Sequence, residues 1–200
     1  MVKHPGELLE NWLQWIPMGY ALDLGAGAGD ATLWLAERGF KVDAVESDEQ
    51  ASRDLIQACE GKEVDVYTCD VVEFVFPHEK YGLINASAIL HFIKPTDLWS
   101  LADRLVAALV PSGFLIAEAL TTDDPGYEAL RLSGQVQIEP NTFRLPSVEG
   151  VIHYFEPGEL SRTFSSLDVT LYEETRRRDE EDLIGFRAGA SLVARKSKNK

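Results

Sequence analysis

The residues best placed to do chemistry in this chain are two carboxylates, Asp23 and Glu46, on either side of a run of alternating glycines, Gly25-Ala26-Gly27-Ala28-Gly29. Residues 20–24 read as a buried strand around Asp23, and the pattern from Asp30 to Arg38 reads as a helix. The glycines between them predict a tight turn that a ligand can approach closely, since a Cβ would stand in its way. An acid about 20 residues beyond such a turn, at the end of the next apolar run, is placed to accept both hydroxyls of a ribose. The spacing predicts a nucleoside-binding βαβ unit.

The same spacing narrows the nucleoside. A dinucleotide fingerprint reads G-x-G-x-x-G/A, and its last place is held here by Asp30. The string from Asp23 is instead D-x-G-x-G-x-G, which resembles motif I of class I S-adenosylmethionine-dependent methyltransferases. An acid at Asp23 suits a cofactor that carries an ammonium and a sulfonium cation, and would repel a pyrophosphate. The resemblance implies S-adenosylmethionine as cofactor. It implies that Asp23 orients the methionine ammonium, that Gly25, Ala26, Gly27 and Gly29 bring the backbone against the cofactor, and that Glu46 holds the ribose. Asp70 and the Val71 backbone then meet the adenine, with Ser47 and Val72 flanking the ring. Ala86 and Ser87, at the end of the fourth strand, are expected to face the sulfonium, in keeping with ligand sites at the carboxyl ends of parallel strands.

The elements that must position these residues alternate along the chain. Glu7 to Trp15 carries Leu8, Trp12 and Trp15 at helical spacing and predicts an N-terminal helix beside the site. Strands are predicted over 20–24, 41–45, 64–68, 83–87 and 114–119, with helices over 31–38, 48–60 and from Pro95 to about Leu109. Asp30 is expected to cap the first crossover helix, and Pro111-Ser112-Gly113 to form a turn. Residues 121–150 read as loop-rich; a helix near 158–165 and two strands, 169–174 and 186–194, follow, close enough for an antiparallel hairpin. The whole predicts an α/β, Rossmann-like, doubly wound sheet of seven strands with a reversed C-terminal hairpin strand, the class I methyltransferase architecture. One domain is expected over residues 1–195, beginning with a helical segment (1–19) and followed by a basic tail (196–200).

Composition excludes more than it selects. A chain of 200 residues with 45% hydrophobic content is expected to bury roughly 70% of its unfolded surface. No apolar run approaches the ~20 residues of a membrane span and Met1–Pro5 opens no apolar signal region, so a cytoplasmic protein without membrane partners is expected. Cys59 and Cys69 are too few for a disulfide framework or a zinc site and read as small buried hydrophobes; no two histidines have metal-ligand spacing. The net charge of −14 disfavours nucleic acid, whose phosphates need a positive surface. The basic run Arg176-Arg177-Arg178 lies between Glu173-Glu174 and Asp179-Glu180-Glu181-Asp182, which cancel its field. A monomer or homodimer acting on a small molecule is expected.

A narrower resemblance rests on Ala21-Leu22-Asp23-Leu24-Gly25, Leu35-Ala36-Glu37-Arg38-Gly39-Phe40, Leu90-His91-Phe92, Phe155-Glu156-Pro157-Gly158-Glu159-Leu160 and Ala194-Arg195-Lys196. Their order is similar to that of the tellurite-resistance (TehB-like) methyltransferase group, which implies a small, soft acceptor such as a tellurium or selenium oxyanion. Where that group has a His-Arg pair near the final hairpin, this chain has Thr175-Arg176-Arg177-Arg178-Asp179; Gly82 and Ser112 replace an acid and a turn glycine. On the acceptor side, His91 is the candidate base or orienter. Arg144 and Arg176 are candidates for gripping an anion, since guanidinium forks match oxyanions, and His153-Tyr154-Phe155 for lining the pocket mouth. The expected reaction is in-line displacement at the sulfonium methyl, in which a soft nucleophile needs no base and a hydroxyl or ammonium does. Other readings are a cofactor-binding module without turnover, a methyltransferase for a small carboxylate or amine metabolite, and a nicotinamide-dependent oxidoreductase, against which Asp30 and the reversed hairpin argue.

Overall fold

The computed structural model describes residues 6–145, 150–178 and 186–198; the side chains of Arg177, Arg178 and Phe186 lie outside that description. Helix α1 (Glu7–Trp12) continues as a 3₁₀ turn (Leu13–Trp15) into β1 (Tyr20–Leu24), α2 (Asp30–Glu37), β2 (Lys41–Glu46), α3 (Glu49–Ala58), β3 (Val64–Thr68) and β4 (Tyr81–Ser87). A second 3₁₀ turn (Leu90–Phe92) leads to α4 (Pro95–Ala108), β5 (Leu109–Leu120), α5 (Pro125–Leu132), β6 (Gln137–Glu139), β7 (Thr142–Arg144), β8 (Val151–His153), α6 (Glu159–Thr163), β9 (Asp168–Arg178) and β10 (Phe186–Arg195). The main sheet has seven strands in the order β3-β2-β1-β4-β5-β10-β9. Strands β1 to β5 pair in parallel, and β10 runs antiparallel to both β5 and β9. This is the class I methyltransferase fold. The strand order reverses between β1 and β4, so the carboxyl ends of β1, β2 and β4 converge on one crevice.

Side-chain alternation along the central strands divides the core in two. Leu22 and Leu24 of β1 and Ala86 of β4 face α4, against Leu98, Leu101 and Leu105. Ala21 and Leu83 face the other way, against Leu9 of α1 and Trp34 and Leu35 of α2. Each fully buried leucine contributes roughly 2 kcal/mol, so α4 is held chiefly by its apolar stripe. Because helices cover both faces, the strands are apolar at nearly every position. The buried polar residues Asp23 and Asn85 break that rule, and both belong to the face shared with α2.

Four expectations are corrected. Helix α2 is capped by Gly29, in a left-handed conformation (φ 83°), and Asp30 falls in the first turn, where its charge meets the helix dipole. Pro111-Ser112-Gly113 is not a turn but a bulge inside β5: Tyr81 pairs with Leu109 and Leu83 with Phe114, with Ser112 at φ 70° between them. Lys196 is not a tail residue. It is buried, with Nζ donating to the Leu109 carbonyl at 2.8 Å and facing Glu79 at 3.3 Å, because the bulge leaves carbonyls that the ammonium satisfies. Residues 121–150 hold α5 and, with β8, the antiparallel sheet β6-β7-β8, whose strands of three residues are too short to show a period. This small sheet has its own core of Phe143, Ile152 and Tyr154. Among the described residues no helix is long and apolar enough to cross a membrane.

Gly82, inside β4, has no room for a side chain, since an added Cβ would overlap the Pro17 carbonyl. Gly82→Ala should lower stability by about 2 kcal/mol, read in equilibrium urea unfolding as a lower midpoint with unchanged slope.

Candidate functional site

The glycine turn is stitched to the end of β2. The Gly25 and Ala26 amides both donate to the Val45 carbonyl, at 2.8 and 3.0 Å. The Gly27 amide donates to Glu46 Oε2 and the Asp48 amide to Glu46 Oε1, each at 2.8 Å. Each oxygen of the buried Glu46 carboxylate thus keeps a second acceptor direction. Gly25 (φ 66°) is required because a Cβ there would lie 2.8 Å from Ile89, whereas one at Gly27 (φ 52°) would meet only the Gly25 carbonyl at 3.9 Å. Gly29 has a different role from its neighbours. A Cβ there would overlap Leu55, so this glycine lets α2 and α3 close together.

Asp23 is fixed from two sides. Thr32 Oγ1 donates to its Oδ2 at 2.6 Å and Asn85 Nδ2 to its Oδ1 at 2.8 Å, while Ser87 Oγ donates to Asn85 Oδ1 at 2.9 Å. Burial pushes the Asp23 carboxyl above its ordinary value, against the pull of the two side-chain hydrogen bonds. Thr32 and Asn85 were not anticipated. The readable signal was an amide inside the apolar run Leu83-Ile84-Asn85-Ala86, since a buried amide needs partners. Ala86 takes the opposite face of β4 from Asn85 and Ser87 and lies in the core, so its side chain is not brought to the site.

Two cavities meet at Gly25. The first, of about 400 Å³, has Gly25, Glu46, Ser47, Asp70 and Val71 on one side, and Ile89 and Phe92 with Leu145, Gly150 and Val151 of the small sheet on the other. The second, of about 290 Å³, is walled by Asp23, Ala26, Asp30, Asn85 and Ser87, with Gly6 at its edge just ahead of α1. Asp70 is exposed, and its Oδ1 accepts from the Val72 amide at 2.8 Å, leaving the other oxygen open. Val72 itself packs onto the core and passes its carbonyl to Arg104, outside the cavity wall. Asp23, Asp30, Glu46 and Asp70 therefore face the two cavities, and among the described residues no lysine or arginine lines either. Among the groups that S-adenosylmethionine presents, the ammonium, the ribose diol and the exocyclic amine are donors, and this acceptor set fits them.

The acceptor-side candidates are dispersed. His91 is buried (6% exposed) in the 3₁₀ turn after β4, where Ile89 and Phe92 take the cavity side and turn it inward. Its Nδ1 has no partner among the described residues, and burial, reinforced by Arg187 and His153, lowers its pKa to about 4. His153 is also buried, held between Thr142 Oγ1 at 2.9 Å and Glu159 Oε1 at 3.1 Å, so it clamps the small sheet to α6 instead of lining a mouth. Arg176 lies on β9 with Asp123 at 3.5 Å and lines neither cavity; Arg144 lines a third. Among the described residues no three ligating side chains cluster as a metal site. Burial pushes the thiols of Cys59 and Cys69 up.

Residues 21–113 match the family model described as a methyltransferase domain. Over 103 residues, half of this chain, the sequence is 29% identical to the ribosomal protein L11 methyltransferase of Campylobacter concisus, and the match spans 34% of that protein. A crystal structure of an S-adenosylmethionine-dependent methyltransferase from Methanosarcina mazei superposes with a TM-score of 0.79 at 19% identity, covering 98% of this chain and 99% of that one. TehB from Haemophilus influenzae shares the fold at a TM-score of 0.73 and 19% identity, over 96% of this chain and 62% of its own.

The folded protein keeps His91 neutral down to about pH 4, whereas an ordinary imidazole protonates near 6.5. Its contribution to stability is complete above pH 6.5 and is lost as the pH falls toward 4, by up to roughly 3 kcal/mol. His91→Leu should flatten that fall when urea midpoints are compared across this range; equal pH slopes in both proteins would contradict the assignment.

Proposed function

We propose that this class I S-adenosylmethionine-dependent methyltransferase transfers a methyl group to a small-molecule acceptor, with Asp23, Glu46 and Asp70 holding the cofactor across the two cavities that share Gly25. The observation that carries this reading is the charge of the walls: four carboxylates, and no cation among the described lining residues. A nucleotide phosphate would meet repulsion there, whereas a phosphate-free nucleoside with an ammonium group presents donors to each acid. S-adenosylmethionine, when bound, supplies a methyl group already activated by the sulfonium charge.

The chain's residues bind, orient and exclude water. Asp23, locked by Thr32 and Asn85, offers a preorganised carboxylate to the ammonium, with no side-chain freedom left to lose. Glu46 presents one acceptor direction on each oxygen to the ribose diol. The second oxygen of Asp70 receives the adenine amine, and Val71, Ile89 and Phe92 supply apolar walls around the ring. Leu145 and Val151 of the small sheet close the first cavity from above, which supports an acceptor small enough to share about 400 Å³ with the nucleoside.

No histidine or cysteine among the described residues lines these cavities, and three of their four carboxylates, Asp23, Glu46 and Asp70, are committed to the cofactor. That supports an acceptor whose reacting atom already has a free lone pair at neutral pH, such as a thiolate or a selenium or tellurium oxyanion. His91→Gln should accordingly leave turnover within about threefold of wild type.

Titration calorimetry with S-adenosylmethionine and S-adenosylhomocysteine is the direct test. Both should bind the wild type, and Glu46→Ala should lose at least about tenfold in affinity. Glu46→Gln, whose amide NH2 would face one of the two backbone N–H donors that the carboxylate now accepts, should lose affinity and also lower the melting temperature, by less than Glu46→Ala. Absence of binding to the wild type would overturn the reading.

A further inference from the structure

A third cavity, also of about 400 Å³, adjoins the first and shares Gly150 and Val151 with it. Its remaining walls are Lys94, just ahead of α4, and Ile138, Glu139 and Arg144 of the small sheet. Its charge is opposite in character to that of the cofactor cavities. Lys94 and Arg144 are both exposed, and neither side chain has an ion pair or hydrogen bond among the described residues. Glu139, the one acid in the wall, receives the Thr96 hydroxyl at 3.4 Å.

Two free cations in one concavity are out of character for this molecule, which carries 33 acidic and 19 basic residues. Every other arginine whose side chain is described has a partner. Arg53, Arg131, Arg176 and Arg187 meet Glu49, Glu128, Asp123 and Asp124. Arg38, Arg104, Arg162 and Arg195 donate to backbone carbonyls. With 14 negative charges in excess, acids were available to neutralise Arg144 and Lys94, and among the described residues none does so. Such a pair in a concave wall focuses a positive potential, and the planar guanidinium fork matches the two oxygens of a carboxylate or phosphate.

We infer that this third cavity is the subsite for an anionic group of the methyl acceptor, a carboxylate or phosphate held by Arg144 and Lys94 while the reacting atom lies in the first cavity. The inference rests on the methyltransferase reading above and adds to it the acceptor's chemical class: an anionic small molecule long enough to reach across Gly150 and Val151.

The test uses the full chain saturated with S-adenosylhomocysteine, titrated with benzoate, phenyl phosphate, inorganic phosphate and neutral benzamide under ligand-observed NMR. Benzoate or phenyl phosphate should bind with a dissociation constant on the order of millimolar, and benzamide at least about tenfold more weakly. Arg144→Gln should weaken the anion about tenfold and Lys94→Gln somewhat less, with S-adenosylhomocysteine affinity unchanged in both. Added salt should weaken the anion in the wild type and have less effect in the double variant. Equal binding of benzamide, unchanged anion affinity in the double variant, or no anion binding at tens of millimolar overturns the proposal. Inorganic phosphate binding as tightly as phenyl phosphate would mark a free-anion site and overturn the acceptor assignment. Weaker S-adenosylhomocysteine binding in the variants would assign the cations to the cofactor, also against the proposal. Failure of the wild type to bind S-adenosylhomocysteine is a separate result, which removes the methyltransferase reading and this one with it.

Discussion

The Glu46 carboxylate is where the glycine turn, the end of β2 and the start of α3 are tied together. It takes the amide of Gly27 on one oxygen and that of Asp48 on the other, so two backbone donors at the ends of two different helices depend on a single side chain. The Asp48 amide, at the cap of α3, has no partner within its helix, and the Gly27 amide lies in the turn ahead of the Gly29 cap of α2. Removing the carboxylate leaves them both to find water in a partly buried crevice, at a cost of about 1–3 kcal/mol each. The same group lines the first cavity, where it is proposed to meet the ribose. The geometry of the turn and the affinity of the site therefore cannot be altered independently at this residue.

Asp23 shows the complementary constraint. A carboxylate in the middle of a parallel sheet opposes folding through desolvation, and it persists because Thr32 and Asn85 each donate to it and Ser87 in turn donates to Asn85. The network spans β1, α2 and β4, the elements around the crevice. Its orientation is set before any ligand arrives, so little reorganisation is left for binding to drive.

The fold was readable from the sequence because its central elements repeat strong local signals. The apolar strand, glycine turn and acid at the next strand end all lie within residues 20–46, and the strand–helix alternation carries on to β5. What escaped has identifiable physical causes. Asp30 was read as a cap from its residue type, but the left-handed backbone at Gly29 ends the turn without a side chain. Pro111-Ser112-Gly113 has the composition of a turn, yet backbone pairing with Lys196, just after β10, draws it into the sheet. The strands of the small sheet are three residues long and are set by tertiary packing around Phe143, so no period could reveal them. Of the site, the backbone-anchored residues Gly25 and Glu46 came with their motif. The partners of Asp23 and the inward turn of His91 depend on which face of a strand or a 3₁₀ turn each side chain takes, which spacing alone does not specify.

The small sheet has a hydrophobic cluster of its own, with Phe143, Ile152 and Tyr154 interlocked with Tyr127 and Leu130 of α5. Its ties to the main body include the clamp of His153 between Thr142 and Glu159, the hydrogen bond from Thr96 to Glu139 and the short pairing of Thr121 with Phe155. The two halves of the crevice are thus written in different stretches of chain: the acids in strand ends and loops from 23 to 70, the cations at 94 and 144. Substitutions within 137–153 can redraw the upper chamber while the Gly25 turn and its carboxylates stay as they are. On the proposed reading, the part of the scaffold that meets the acceptor can be altered without disturbing the part that holds the methyl donor.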